Sequence, residues 1–281
     1  MKWLQFILSH SIFISICAAA LCFQTHILLN VNPQPLVYLL VFSSTLAGYN
    51  FYWIISKYYF SRDLNHLFRK SFSNILILFF AAAAVLFCLL KLQYLIKVFC
   101  FSAVLTIIYS FPLWPVKPRF KFLKDFGFLK TILLSFTWTF ATVVIPTTGF
   151  NHNFQAILIL CIARFSFMLM LCAIFDSRDS RIDKLNNLRS LATDISERKL
   201  KILMILTFLV FIFSGILLRI YYSTTLQLFA FLLTGIVTLI VYQLSHKKRS
   251  YLFYYFLVDG LMLLTSILTY SASILEESFN Y

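Results

Sequence analysis

Apolar residues run along this chain in stretches of about 18 to 22, separated by short polar segments. They fall near residues 4 to 24, 36 to 56, 73 to 91, 94 to 112, 130 to 147, 154 to 175, 201 to 219, 225 to 244 and 251 to 271. A hydrocarbon core of ~30 Å needs about 20 such residues per helix, so the pattern predicts an all-α polytopic transmembrane bundle of about nine helices. In the first run Lys2 precedes apolar residues ending in Ala18, Ala19 and Ala20. A run of about 20 exceeds the ~7–15 of a signal-peptide core, so it is expected to be a retained helix. Only Leu92 and Gln93 separate the third and fourth runs, which fits a tight hairpin or one long tilted helix.

Composition agrees. Of 281 residues 61% are apolar and 12% charged, with a mean hydropathy of +0.87. Soluble domains carry roughly 45–50% apolar and about 25% charged residues, so a soluble globular class is excluded. With 6 Gly and 6 Pro, collagenous and linker-rich classes fail too. The formal charge of +14 is concentrated in alternate loops. Lys57, Arg62, Arg69 and Lys70 follow the second run. Lys117, Arg119, Lys121, Lys124 and Lys130 follow the fourth, a dense group from Arg178 to Lys201 follows the sixth, and Lys247, Lys248 and Arg249 follow the eighth. The intervening loops hold Lys91, Lys97 and Arg219. Basic residues are retained on the cytoplasmic side, so the N-terminus is expected inside and the C-terminus outside, with no nucleic-acid partner required by the charge. Cys17, Cys22, Cys88, Cys100, Cys161 and Cys172 sit in apolar stretches without CxxC spacing, so they are expected to be packing residues. No linker divides the chain. One membrane domain over 1–281 is expected, with cytoplasmic caps near 57–73 and 176–200.

The chemistry-bearing residues gather at the inner ends of the runs. Asp176, Asp179 and Asp183, at i, i+3 and i+7, share one face if the sixth helix continues. Clustered carboxylates suit a divalent cation bridging to a diphosphate, or a solvated loop pairing with Arg178, Arg181 and Lys184. Tyr109 and the basic run Lys117, Arg119 and Lys121 could hold a diphosphate or anionic headgroups, or serve topology alone. Asn50 in the second run wants a partner inside the bundle, as site residue or as helix glue. Arg164, about 18 Å deeper than Asp176 at 1.5 Å per residue, faces the interior or snorkels outward.

These residues resemble the UbiA superfamily of intramembrane prenyltransferases. The likeness rests on Asp176-x-x-Asp179-x-x-x-Asp183 with Arg178, and on Asn187-x-x-Ser190-Leu191-Ala192-Thr193 behind it. It extends to Tyr109-Ser110, Lys117, Leu123-Lys124-Asp125, Lys130 and Trp138, and to Tyr49-Asn50 at the start of a first Asp-rich motif, covering roughly 36 to 195. The resemblance implies transfer of a polyprenyl group from an isoprenoid diphosphate to an aromatic, quinone-precursor-like acceptor, in a plasma or inner membrane. Asp176, Asp179 and Asp183 would hold Mg²⁺, and Asn50, Tyr109, Lys117, Arg119, Lys121 and Arg178 would bind the diphosphate. The departure is in the first motif: where the family places acids about four and eight positions after the Asn, this chain has Ile54 and Tyr58.

That departure keeps a second reading open, a catalytically lapsed member that binds an isoprenoid lipid, a quinone or a partner. A transporter is disfavoured because Arg164 is nearly alone as an ionisable residue at depth. A haem protein is disfavoured because, of His10, His26, His66, His152 and His246, only His10 reads as clearly intramembrane.

Overall fold

The computed structural model describes the backbone of residues 2–61, 64–110, 127–150, 153–185, 190–221, 223–247 and 249–279, and their side chains except at 2, 56–61, 64–71, 109–110, 181–185 and 279. Each apolar run lies on a helix. In chain order these are α1 (Lys2–Ser9), α2 (Ile12–Leu28), α3 (Pro35–Ser61), α4 (Leu64–Lys91), α5 (Ile96–Ser110), α6 (Gly127–Thr147) and α7 (Phe154–Leu185). After these come the short α8 (Leu191–Asp194), then α9 (Glu197–Tyr221), α10 (Thr225–Ser245) and α11 (Asp259–Phe279). Among the described residues six helices are long and apolar enough to cross a membrane, or seven if a bent pair counts as one span.

The first apolar run forms two helices, not one. α1 and α2 meet at 68°. At the joint Ser11 takes a left-handed conformation with φ 61°, and the His10 carbonyl accepts a hydrogen bond from Asn50 Nδ2 at 3.0 Å. Tertiary bonding thus interrupts a run that is continuous in hydropathy. The third and fourth runs are separate helices: Leu92, at φ −112° and ψ 55°, leaves the helical region before a 3₁₀ turn over Gln93–Leu95.

α7 is the central helix. Of its span 67% is buried, against 17% for the apolar part of α4. It packs on α6 and α9, while α2 packs on α3 and α11, and α4 covers α3. Glycines allow a close crossing of α9 with α10. A Cβ on Gly235 would stand 2.8 Å from the Phe208 ring, and one on Gly215 3.2 Å from Phe231. Outward faces carry Phe79, Phe80, Leu90, Phe213 and Ile220, large apolar side chains suited to lipid.

Pro146 lies near the C-terminal end of α6, beyond a π-helical turn at Phe140–Val144. It has no N–H to offer the Thr142 carbonyl four residues back. Thr25 Oγ1 of α2 donates to that carbonyl at 2.7 Å. The next residue, His26, is buried: its Nε2 meets the Pro146 carbonyl at 3.1 Å, and its Nδ1 meets the Tyr38 hydroxyl at 2.6 Å. A carbonyl cannot donate, so Nε2 carries the proton and Tyr38 donates to Nδ1.

Candidate active site

α7 runs unbroken to Leu185, so Asp176, Asp179 and Asp183 share one helix as the spacing requires. The first two carboxylates are already engaged. Asp176 Oδ2 accepts from Thr131 Oγ1 of α6 at 2.6 Å and from the Leu191 amide at 3.2 Å. It thereby ties α7 to α6 and to the start of α8, where the Ser190 amide donates to Thr193 Oγ1 at 2.8 Å. Both oxygens of Asp179 accept from Arg178, through Nε and one terminal nitrogen, each at 2.6 Å. The Arg178 guanidinium also lies 5.1, 5.0 and 5.1 Å from the ring centres of Phe175, Tyr254 and Tyr255. Tyr254 and Tyr255 sit in a π-helical turn, Phe253–Val258, that precedes α11. A planar cation held by a bidentate carboxylate and aromatic faces is strongly oriented.

Asn50 is fully buried on α3. Its Nδ2 donates to the carbonyls of His10 and Leu46, while Oδ1 has no hydrogen-bond partner among the described residues. Tyr109 is the penultimate residue of α5; its side chain lies outside the described residues, as does that of Asp183. Lys117, Arg119 and Lys121 lie outside the described residues altogether. Arg164 faces the interior, 4% exposed, and donates to the Leu21 carbonyl at 3.2 Å and to Thr25 Oγ1 at 3.4 Å; its Nε is without a partner.

An apolar groove of about 400 Å³ opens between α3, α4, α5 and α6. Tyr49, Tyr52, Phe99, Thr106 and Trp138 line it, and it reaches the outer surface at Phe51 and Ile107, both exposed. Tyr49 stands edge-on to Trp138 with ring centres 6.4 Å apart. Gly48 and several alanines keep the walls close to the backbone.

One residue the sequence reading passed over is Asp259, 5% exposed at the start of α11. Arg164 is therefore not nearly alone at depth. A single acid inside an apolar run was the available signal.

The acids do not fit a magnesium ion as arranged. Both oxygens of Asp179 are engaged by Arg178, Asp176 already accepts two hydrogen bonds, and Ile54 stands where the first motif needs a carboxylate. Among the described residues no group of three or more His, Cys, Asp or Glu is placed to hold a metal.

No family model and no curated protein matches this sequence. Two solved structures share its fold. The apo structure of a UbiA homolog from Aeropyrum pernix K1 superposes with a TM-score of 0.59 at 12% identity, covering 95% of this chain and 98% of that one. A structure of digeranylgeranylglyceryl phosphate synthase gives a TM-score of 0.58 at 14% identity, covering 98% of each chain. The chain has the UbiA-like fold over nearly its full length.

Proposed function

We propose that this chain is a membrane prenyltransferase of UbiA type, moving a polyprenyl group from an isoprenoid diphosphate to an aromatic or related acceptor. The observation that carries the reading is the apolar groove in a bundle of UbiA-like fold whose central helix carries an oriented cation, Arg178. Tyr49 and Trp138 line the groove, and Trp138 stands on α6, which packs against α7, the helix of Asp176 and Arg178. An isoprenoid chain suits the groove, which it would enter from the bilayer past Phe51 and Ile107. Arg178 would meet the diphosphate, with Asn50, Tyr109, Lys117, Arg119 and Lys121 proposed alongside it. A fixed cation there stabilises charge developing on the leaving diphosphate.

In this reading Asp179 is a positioning residue that holds Arg178 in its plane, and Asp176 anchors α8 and α6 around the site. The whole chain acts as one membrane domain of nine spans, with its N-terminus cytoplasmic.

The second reading, a lapsed member that binds a prenyl lipid or quinone, draws its support from Ile54 and Tyr58 in the first-motif positions. The test is binding of a non-hydrolysable geranylgeranyl diphosphate analogue to purified protein in detergent, with and without Mg²⁺, for wild type and Asp179→Ala. Binding that the substitution abolishes supports the transferase. No binding under either condition favours the lapsed reading.

A further inference from the structure

α1 and α2 belong to one apolar run in sequence, yet α1 leaves the line of α2 at 68°. Membrane helices tilt on average by about 20° from the bilayer normal, so with α2 as a span α1 lies between roughly 2° and 42° from the bilayer plane.

Side chains fix the level of the joint. His10 Nε2 meets Ser73 Oγ of α4 at 2.9 Å, and the His10 carbonyl accepts from Asn50 Nδ2 of α3 at 3.0 Å. Ser73 is the second residue of the apolar stretch of α4, Phe72–Lys91, and Arg69 and Lys70 stand just before that stretch in sequence. Where a span passes from basic to apolar residues it enters the hydrocarbon, so the joint sits at that boundary. Asn50 is followed by Phe51, where the groove reaches the outer surface, so the same joint ties the groove mouth to this level.

The faces of α1 are divided to match. Leu8 is buried against the bundle, while Trp3 and Phe6 are 83% and 45% exposed. Gln5 and Ser9, one turn apart, are exposed on the side nearly opposite Trp3. Water would leave the indole and phenyl rings unburied, and hydrocarbon would leave the amide and hydroxyl unsolvated. Half-immersion suits both, with the indole at headgroup depth.

We propose that α1 binds the bilayer surface as an in-plane helix, with Trp3 and Phe6 sunk at the boundary of headgroups and acyl chains and Gln5 and Ser9 toward water. A helix of this kind buries its apolar face by about 5–10 Å. The site does not depend on the transferase reading.

The experiment uses the full chain in phosphatidylcholine nanodiscs, which leave both membrane surfaces open. Trp3→Cys and Gln5→Cys are compared for labelling by a charged thiol reagent confined to water, above the background of the native cysteines in wild type. Gln5→Cys is expected to label at least about tenfold faster, because a thiol drawn toward the acyl chains escapes the reagent. Equally slow labelling would place α1 within the hydrocarbon, and equally fast labelling would place it in water; either overturns the proposal. Trp3→Cys removes one of the anchoring rings, so a second measurement leaves the ring in place: the emission of wild type less that of Trp3→Phe, with brominated phosphatidylcholines in the disc. Bromines near the headgroup are expected to quench Trp3 at least about twofold more than bromines near the chain end. Quenching that is strongest at the chain end, or absent with every lipid, overturns the proposal as well.

Discussion

Arg178 holds both oxygens of Asp179, its neighbour in sequence, while its guanidinium lies against Phe175, Tyr254 and Tyr255. The pair is 24% and 38% exposed, so solvent screens it and its contribution to stability is about 1 kcal/mol or less. What the pairing supplies is orientation. Arg178→Lys keeps the charge but loses the fork and the planar stacking. Thermal unfolding in detergent is expected to shift by no more than a few degrees, while affinity for the diphosphate analogue drops by about tenfold, roughly 1.4 kcal/mol. Unchanged affinity would remove Arg178 from the site.

Asp176 connects two helices and a loop through one oxygen, and Thr131, 4% exposed, is its side-chain donor. Thr131→Val removes the hydroxyl and leaves a partly buried carboxylate less satisfied, at a cost of about 1–3 kcal/mol. Asp176→Ala is expected to go further and raise hydrogen exchange at the Leu191 amide, whose acceptor it deletes. Exchange mass spectrometry over α8 reads this directly, and an unchanged rate at Leu191 would contradict it.

The helices were legible because membrane spans are written locally: about 20 apolar residues are enough, whatever they pack against. The Asp motif on α7 was legible for a similar reason, since i, i+3 and i+7 spacing places residues on a face wherever the helix lies. The kink at Ser11 was not, because it depends on a bond from Asn50 to the His10 carbonyl, 40 residues away. Arg164 was ambiguous until α2 supplied the Leu21 carbonyl and Thr25. Asp259 belongs to no motif, and its burial depends on packing between helices, which spacing along one helix cannot reveal.

The groove makes a steric prediction. Ala103 is half-buried in its wall, and Ala103→Phe projects a ring into space bounded by Tyr49 and Trp138. The protein is expected to fold, since the added volume enters a cavity and not a filled core. Affinity for a C20 diphosphate analogue should fall by about tenfold or more, roughly 1.4 kcal/mol, with a smaller loss for a C5 analogue. Equal losses for both lengths would show that the chain does not occupy this groove.

Arg164 and Thr25 make the last prediction. Arg164 is a buried cation whose described partners are a carbonyl and a hydroxyl, with Nε unsatisfied. Burying a guanidinium without a carboxylate costs several kcal/mol, and replacing buried ionic groups by apolar ones of similar volume is often neutral or stabilising. Arg164→Met is therefore expected to unfold at the same temperature as wild type or higher. Thr25→Val should do the opposite. Thr25 also donates to the Thr142 carbonyl at 2.7 Å, and losing that donor should destabilise by about 0.6 kcal/mol, the typical value inside a membrane bundle. Thermal unfolding of both single variants and the double variant separates the two effects. If Arg164→Met lowers the midpoint by more than Thr25→Val does, the cation is compensated, and the cost assigned to it here is wrong.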